Sequence, residues 1–113
     1  MKWGAAILEF KAELFKMMGH PTRLRILEIL RTGEKTVGEL QQALAIEASS
    51  VSQQLSMMRT RQLLDARKHG TNVSYVVRDP LVFELMDIAR AIFENQVASM
   101  QSMLDDSGGT SQD

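Results

Sequence analysis

Thr36-Val37-Gly38-Glu39-Leu40-Gln41-Gln42-Ala43-Leu44-Ala45-Ile46-Glu47-Ala48-Ser49-Ser50-Val51-Ser52-Gln53-Gln54-Leu55-Ser56-Met57-Met58-Arg59 is the stretch that decides the fold. Thr36 followed three residues later by Glu39 is a capping box. The threonine side chain accepts from the backbone N–H of Glu39, and the glutamate reaches back to the N–H of Thr36. A short helix therefore opens at Thr36 and runs to about Leu44. Ala45-Ile46 forms a turn, and a second helix occupies roughly 48–61. Two short helices joined by a few residues predict a helix-turn-helix.

Upstream, residues 5–18 place Ile7, Leu8, Phe10, Leu14, Phe15, Met17 and Met18 at helical spacing. His20-Pro21-Thr22 interrupts and restarts the chain, since proline at a first helical position sacrifices only an N–H that would have no partner there. The helix that follows turns Leu24, Ile26, Leu27, Ile29 and Leu30 inward and Arg23, Arg25 and Arg31 outward, with Gly33 as its stop. Downstream, the period changes to two. Val73, Tyr75 and Val77 alternate as a strand, residues 63–69 form a weaker one, and Gly70-Thr71-Asn72 supplies the turn between them. Asp79-Pro80 opens a long last helix through about Leu104, and the small polar residues 105–113 predict a disordered tail. The expected architecture is mainly α with a small β-hairpin. Its order is α-α-α-α-β-β-α, a winged helix-turn-helix forming one domain over 1–104.

Composition bounds the chemistry. The 113 residues suit one domain. No apolar run approaches the roughly 18–20 residues of a bilayer span, and the N-terminal residues lack a signal-peptide core, so a cytoplasmic protein is expected. There is no cysteine, which excludes disulfides, thiolate metal sites and thiol redox switches. His20 and His69 are too few and too far apart for a metal motif. No nucleophile–base pair, P-loop or dinucleotide fingerprint is present, so neither an enzyme nor a cofactor is expected. The net charge is −1, but its distribution is uneven: +1 over residues 1–19, +4 over 20–78 and −6 over 79–113. A basic middle beside an acidic end suits a protein that offers one face to phosphate.

Duplex DNA is the partner these residues imply. On the second helix of the pair, Val51, Leu55 and Met58 share the face that packs on the domain. The opposite face carries Ser49, Ser50, Ser52, Gln53, Ser56 and Arg59, with Gln54 near its edge. Hydroxyls and amides free of acids are what base edges require, glutamine pairing with adenine and serine donating or accepting. Arg67, Lys68 and His69, with Thr71 and Asn72 at the hairpin tip, suit the phosphate backbone or the minor groove. Thr36 adds a helix N-terminus whose N–H groups favour phosphate. The last helix is apolar on more than one face. Leu85, Ile88, Ala89, Ile92, Phe93, Val97 and Met100, with Ile7, Leu8, Phe10 and Leu14 of the first helix, are the expected dimer interface.

The run Leu14-Phe15-Lys16-Met17-Met18-Gly19-His20-Pro21-Thr22-Arg23-Leu24-Arg25-Ile26-Leu27 resembles the entry to the second helix of ArsR/SmtB-type winged-helix repressors. Residues 36–40, 49–55 and the wing over 67–75 are similar to that family in order and spacing, and the likeness covers roughly 10–95. The resemblance implies a homodimeric repressor on an imperfect inverted repeat, released by an inducer. It further implies base contacts at Ser50, Gln53 and Gln54, and a dimer built from the first and last helices. Thr36 and Gly38 stand where the family's thiolate ligands fall, and the last helix has no histidine. The inducer expected is therefore a small organic molecule or anion, a partner protein, or none. Two alternatives remain open at this stage. One is a helical interaction module that pairs with another regulator without reading DNA. The other is a repressor that senses a metal through oxygen ligands such as Asp79, Glu84, Asp87 and Glu94. Gln62 replaces the family's usual glycine after the reading helix, so it either takes a left-handed conformation or ends that helix differently.

Overall fold

The computed structural model describes residues 2–109. The elements run α1 (Gly4–Met18), α2 (Pro21–Leu30), β1 (Lys35–Thr36), α3 (Val37–Leu44), α4 (Ala48–Thr60), β2 (Leu64–His69), β3 (Asn72–Val77) and α5 (Leu81–Gly109). The chain divides into two compact units, Met1–Pro80 and Leu81–Asp113. The first holds the helix-turn-helix and the sheet, and the second is α5.

Local chemistry accounts for the boundaries. Pro21 sits in the first turn of α2, and the preceding His20 caps it by accepting at Nδ1 from the Thr22 N–H at 3.2 Å. Both arms of the capping box form at α3: Glu39 N–H donates to Thr36 Oγ1 at 3.2 Å, and Thr36 N–H donates to Glu39 Oε1 at 3.0 Å. The bond from the Thr36 backbone N–H, and after it that from the Thr36 side chain, lowers the Glu39 carboxyl from its ordinary value. α3 ends at Ala45, which is left-handed at φ 56 and donates its N–H to Gln41 O at 2.8 Å. α4 ends in a full Schellman motif, with Gln62 N–H on Arg59 O at 2.9 Å and Leu63 N–H on Met58 O at 2.9 Å. Gln62 takes the left-handed position at φ 65. Of the two endings the sequence left open, the strained one occurs.

The core of the first unit is built from Ile26, Leu27 and Leu30 of α2, Leu40 and Leu44 of α3, Val51, Leu55 and Met58 of α4, and Leu63, Leu64 and Val77 around the sheet. Burying each such side chain is worth about 1.5–3 kcal/mol. Leu24, expected inside, is exposed, and Ile29 is only half-buried. The outward arginines are engaged as well. Arg23 is half-buried, Arg25 donates to Leu44 O at 3.3 Å, and Arg31 pairs with Glu28 at 3.0 Å.

The hairpin acquires a third strand. The order is β1-β3-β2, antiparallel throughout, with Lys35 opposite Tyr75 and Thr36 opposite Ser74. Two residues are too few to show a period, so β1 left no mark in the sequence. The alternation expected at Val73, Tyr75 and Val77 buries only Val77; Ser74, of the opposite parity, is buried as well. Gly70, at φ 65, holds the first central position of the two-residue turn between His69 and Asn72. α5 also runs further than its composition suggested: residues 105–109, assigned to a disordered tail, continue the helix. The rest of that tail, 110–113, lies outside the described residues. At 29 residues α5 is about 44 Å long.

Candidate nucleic-acid interface

α4 is held to the first unit by Val51, Leu55 and Met58, each 0% exposed. That anchor turns the other side of the helix outward. Ser49, Ser50, Ser52, Gln53, Ser56 and Arg59 are all exposed, and no acid occurs anywhere from Ala48 to Gln62. The helix thus offers a surface of hydroxyls, one free amide and a terminal arginine, the groups that pair with base edges in a major groove. Thr60 belongs to the same exposed side, although its Oγ1 is turned back onto Ser56 O at 2.9 Å. Helical spacing from Gln53 and Ser56 could have found it.

Gln54 differs from its neighbours. It is half-buried, and its Oε1 accepts from Arg23 Nε of α2 at 2.9 Å. The same guanidinium donates through Nη1 to Met17 O at 3.2 Å and through Nη2 to Met57 Sδ at 2.8 Å. Arg23 therefore joins three helices at one point. No signal in the sequence marks this, because the partners lie 31 and 34 residues away along the chain.

The wing carries the remaining expected contacts. Arg67, Lys68, His69, Thr71 and Asn72 are all exposed. Two of them have an acidic neighbour: Glu34, just before β1, accepts from Arg67 Nη1 at 3.4 Å and has Oε1 2.9 Å from His69 Nε2. Arg61 pairs with Glu13 at 3.2 Å and Arg78 lies 3.7 Å from Asp65. Among the described residues, Arg59 and Lys68 form no ion pair. Thr36 is half-buried, its hydroxyl engaged in the cap of α3.

The expected dimer residues fall on two helices. On α1, Ile7, Leu8 and Phe10 are exposed and Leu14 is half-buried. On α5, Ile88, Ala89, Ile92, Phe93, Val97 and Met100 are exposed and Leu85 is half-buried. Among the described residues no three His, Asp or Glu side chains gather as a metal site requires, and within α5 Glu84, Asp87 and Glu94 form no such group. No helix of the described residues is long and apolar enough to cross a membrane.

Residues 20–65 match the family model described as "Bacterial regulatory protein, arsR family". The HTH-type transcriptional regulator Rv0081 of Mycobacterium tuberculosis is 35% identical over 101 residues, covering 88% of this chain and 89% of that protein. Its crystal structure superposes with a TM-score of 0.75, covering 82% of this chain and 94% of the other. The biofilm growth-associated repressor of Agrobacterium fabrum is 34% identical over 82 residues, 73% of this chain and 70% of that one. A homodimeric winged helix-turn-helix DNA-binding domain from Mycobacterium bovis superposes with a TM-score of 0.76 at 25% identity, covering 86% of this chain and 90% of the other. By that family match and by its identity to Rv0081 over most of both chains, the chain belongs to the arsR family of bacterial regulatory proteins.

Proposed function

We propose that the protein is a homodimeric transcriptional repressor that binds an inverted-repeat operator in duplex DNA. In this reading α4 enters the major groove, the wing follows the backbone, and residues 1–104 act as one DNA-binding and dimerisation domain. The observation that carries it is the acid-free hydroxyl and amide face of α4, held outward by three fully buried side chains. A merely solvated helix surface would carry Glu and Lys; this one carries Ser49, Ser50, Ser52, Gln53 and Ser56. Lys68 and the hairpin tip at Thr71 and Asn72 supply backbone contacts that position without specifying sequence. The homodimeric state of the Mycobacterium bovis neighbour and the exposed apolar residues of α1 and α5 support the dimer. The names of relatives such as the Agrobacterium repressor support repression over activation.

Any inducer, whether a small organic molecule, an anion or a partner protein, is of a non-thiol kind, because the chain has no cysteine to offer a soft metal or an oxidant. The test is a gel-shift titration with the DNA upstream of the protein's own gene, against scrambled competitor at two salt concentrations. Sequence-selective, salt-sensitive binding that Gln53→Ala weakens is the expected result. Absence of selective binding would overturn the reading in favour of a module that pairs with another regulator.

A further inference from the structure

We infer that Arg23 is a positioning residue for DNA reading, and that Gln54 is part of its bracket rather than a reader of bases. The inference rests on the proposal that α4 is the reading helix. Three observations meet at the guanidinium. Nε donates to Gln54 Oε1 at 2.9 Å and Nη2 to Met57 Sδ at 2.8 Å, both on the flank of α4 that faces α2. Nη1 donates to Met17 O at 3.2 Å, a carbonyl in the last turn of α1 that has no helical N–H above it. The planar fork suits this, since its donors leave in fixed directions and lose little freedom on binding.

The consequence for Gln54 follows from its amide. Bidentate pairing with adenine needs the carbonyl oxygen and the NH₂ side by side at the base edge. Here the oxygen is drawn back to Arg23, and the residue is half-buried beside the packed stripe of Val51, Leu55 and Met58. Gln53, one residue earlier and 100° around the helix, is exposed. The two adjacent glutamines thus divide the work: Gln53 faces out to read, and Gln54 ties the helix down. Through Met17 O the same bracket joins α4 to α1, so the rotation of the reading helix is set relative to a helix that also carries exposed Ile7 and Phe10.

The test compares Arg23→Met, Gln54→Met, the double variant and Arg23→Lys in the full chain. Binding is measured against an operator library with each base pair varied in turn. Arg23→Met and Gln54→Met should each weaken operator binding about tenfold, with base preference unchanged at every position. The double variant should be no weaker than either single, and Arg23→Lys should recover part of the loss. Gln53→Ala, in contrast, should relax preference at one base pair. Amide hydrogen exchange on the free protein gives a readout that needs no DNA: Arg23→Met should speed exchange in α4 while leaving that of β2 and β3 unchanged. Additive losses, a change of base preference on Gln54→Met, or unaltered exchange in α4 would each overturn the inference. If the unaltered protein binds no sequence selectively while Arg23→Met still loosens α4, the DNA-reading proposal fails and the bracket stands.

Discussion

His69 Nε2 lies 2.9 Å from Glu34 Oε1, so an acid beside β1 stands against the basic side chains of the wing. Arg67 reaches the other oxygen of the same carboxylate at 3.4 Å. All three side chains are at least a third exposed, so the pairs add little to stability. Their effect falls on charge. Glu34 occupies the Arg67 guanidinium that a DNA phosphate would otherwise take, and a phosphate must displace it. Glu34→Gln should leave the melting temperature nearly unchanged while raising DNA affinity for any sequence. The logarithmic dependence on salt should steepen by about 0.9 for each phosphate gained. A salt titration by filter binding measures this, and an unchanged slope would mean that the wing does not touch the backbone.

The end of α4 stores strain that a single substitution can release. Gln62 sits at φ 65 within a complete Schellman motif. A left-handed non-glycine residue costs roughly 1–2 kcal/mol, and glycine would relieve it at a smaller cost in unfolded-chain entropy of roughly 0.5–1 kcal/mol. Gln62→Gly should therefore stabilise the protein by about 0.5 kcal/mol, or roughly 2–4 °C in a thermal melt. Gln62→Val, β-branched and unsuited to positive φ, should lower the melting temperature.

How far these features were legible depends on sequence distance. The capping box spans three residues, the Pro21 start two, and the departure at Gln62 one position, and each could be read directly. The buried stripe of Val51, Leu55 and Met58 followed from helical period alone, and with it the exposed Ser and Gln face. What escaped was non-local. Arg23 looked like a solvated charge because Gln54 and Met57 lie more than thirty residues away. Glu34 drew no reading because its neighbours Arg67 and His69 come near only when β1 adds to β3. The extension of α5 over 105–109 escaped for the opposite reason: local polarity argued for a tail, and the helix continues to Gly109.

The capping box makes stability depend on pH in a stated direction. The folded Glu39 carboxyl lies below its usual value, chiefly because it accepts from the Thr36 N–H. A group depressed in the folded state stabilises above its unfolded pKa, and that contribution vanishes as pH falls through the folded value. Glu39→Gln, which keeps an acceptor oxygen but loses the charge, should be less stable than the parent at neutral pH. The difference should close on acidification below the carboxylate range. Thr36→Ala removes the other arm and should cost about 1 kcal/mol at neutral pH. Chemical denaturation at several pH values measures both, and a difference for Glu39→Gln that stays constant down to acid would contradict the assignment.

The apolar residues of α5 make the last prediction. Ile92 is 53% and Phe93 64% exposed in the single chain, within a helix that also exposes Ile88, Val97 and Met100. Large apolar side chains repeated along one helix mark a surface that a partner covers, and the proposed partner is a second copy. Ile92→Glu should convert the dimer to a monomer in sedimentation while leaving the far-ultraviolet circular dichroism of the fold intact. Affinity for an inverted repeat should then fall to that for an isolated half-site, because one reading helix no longer brings the other with it. Gln53→Ala should show the reverse pattern, a full dimer with weakened selectivity. Should Ile92→Glu remain dimeric and bind the repeat unchanged, the subunits would have to meet elsewhere, and exposed Ile7, Leu8 and Phe10 of α1 would become the residues to change next.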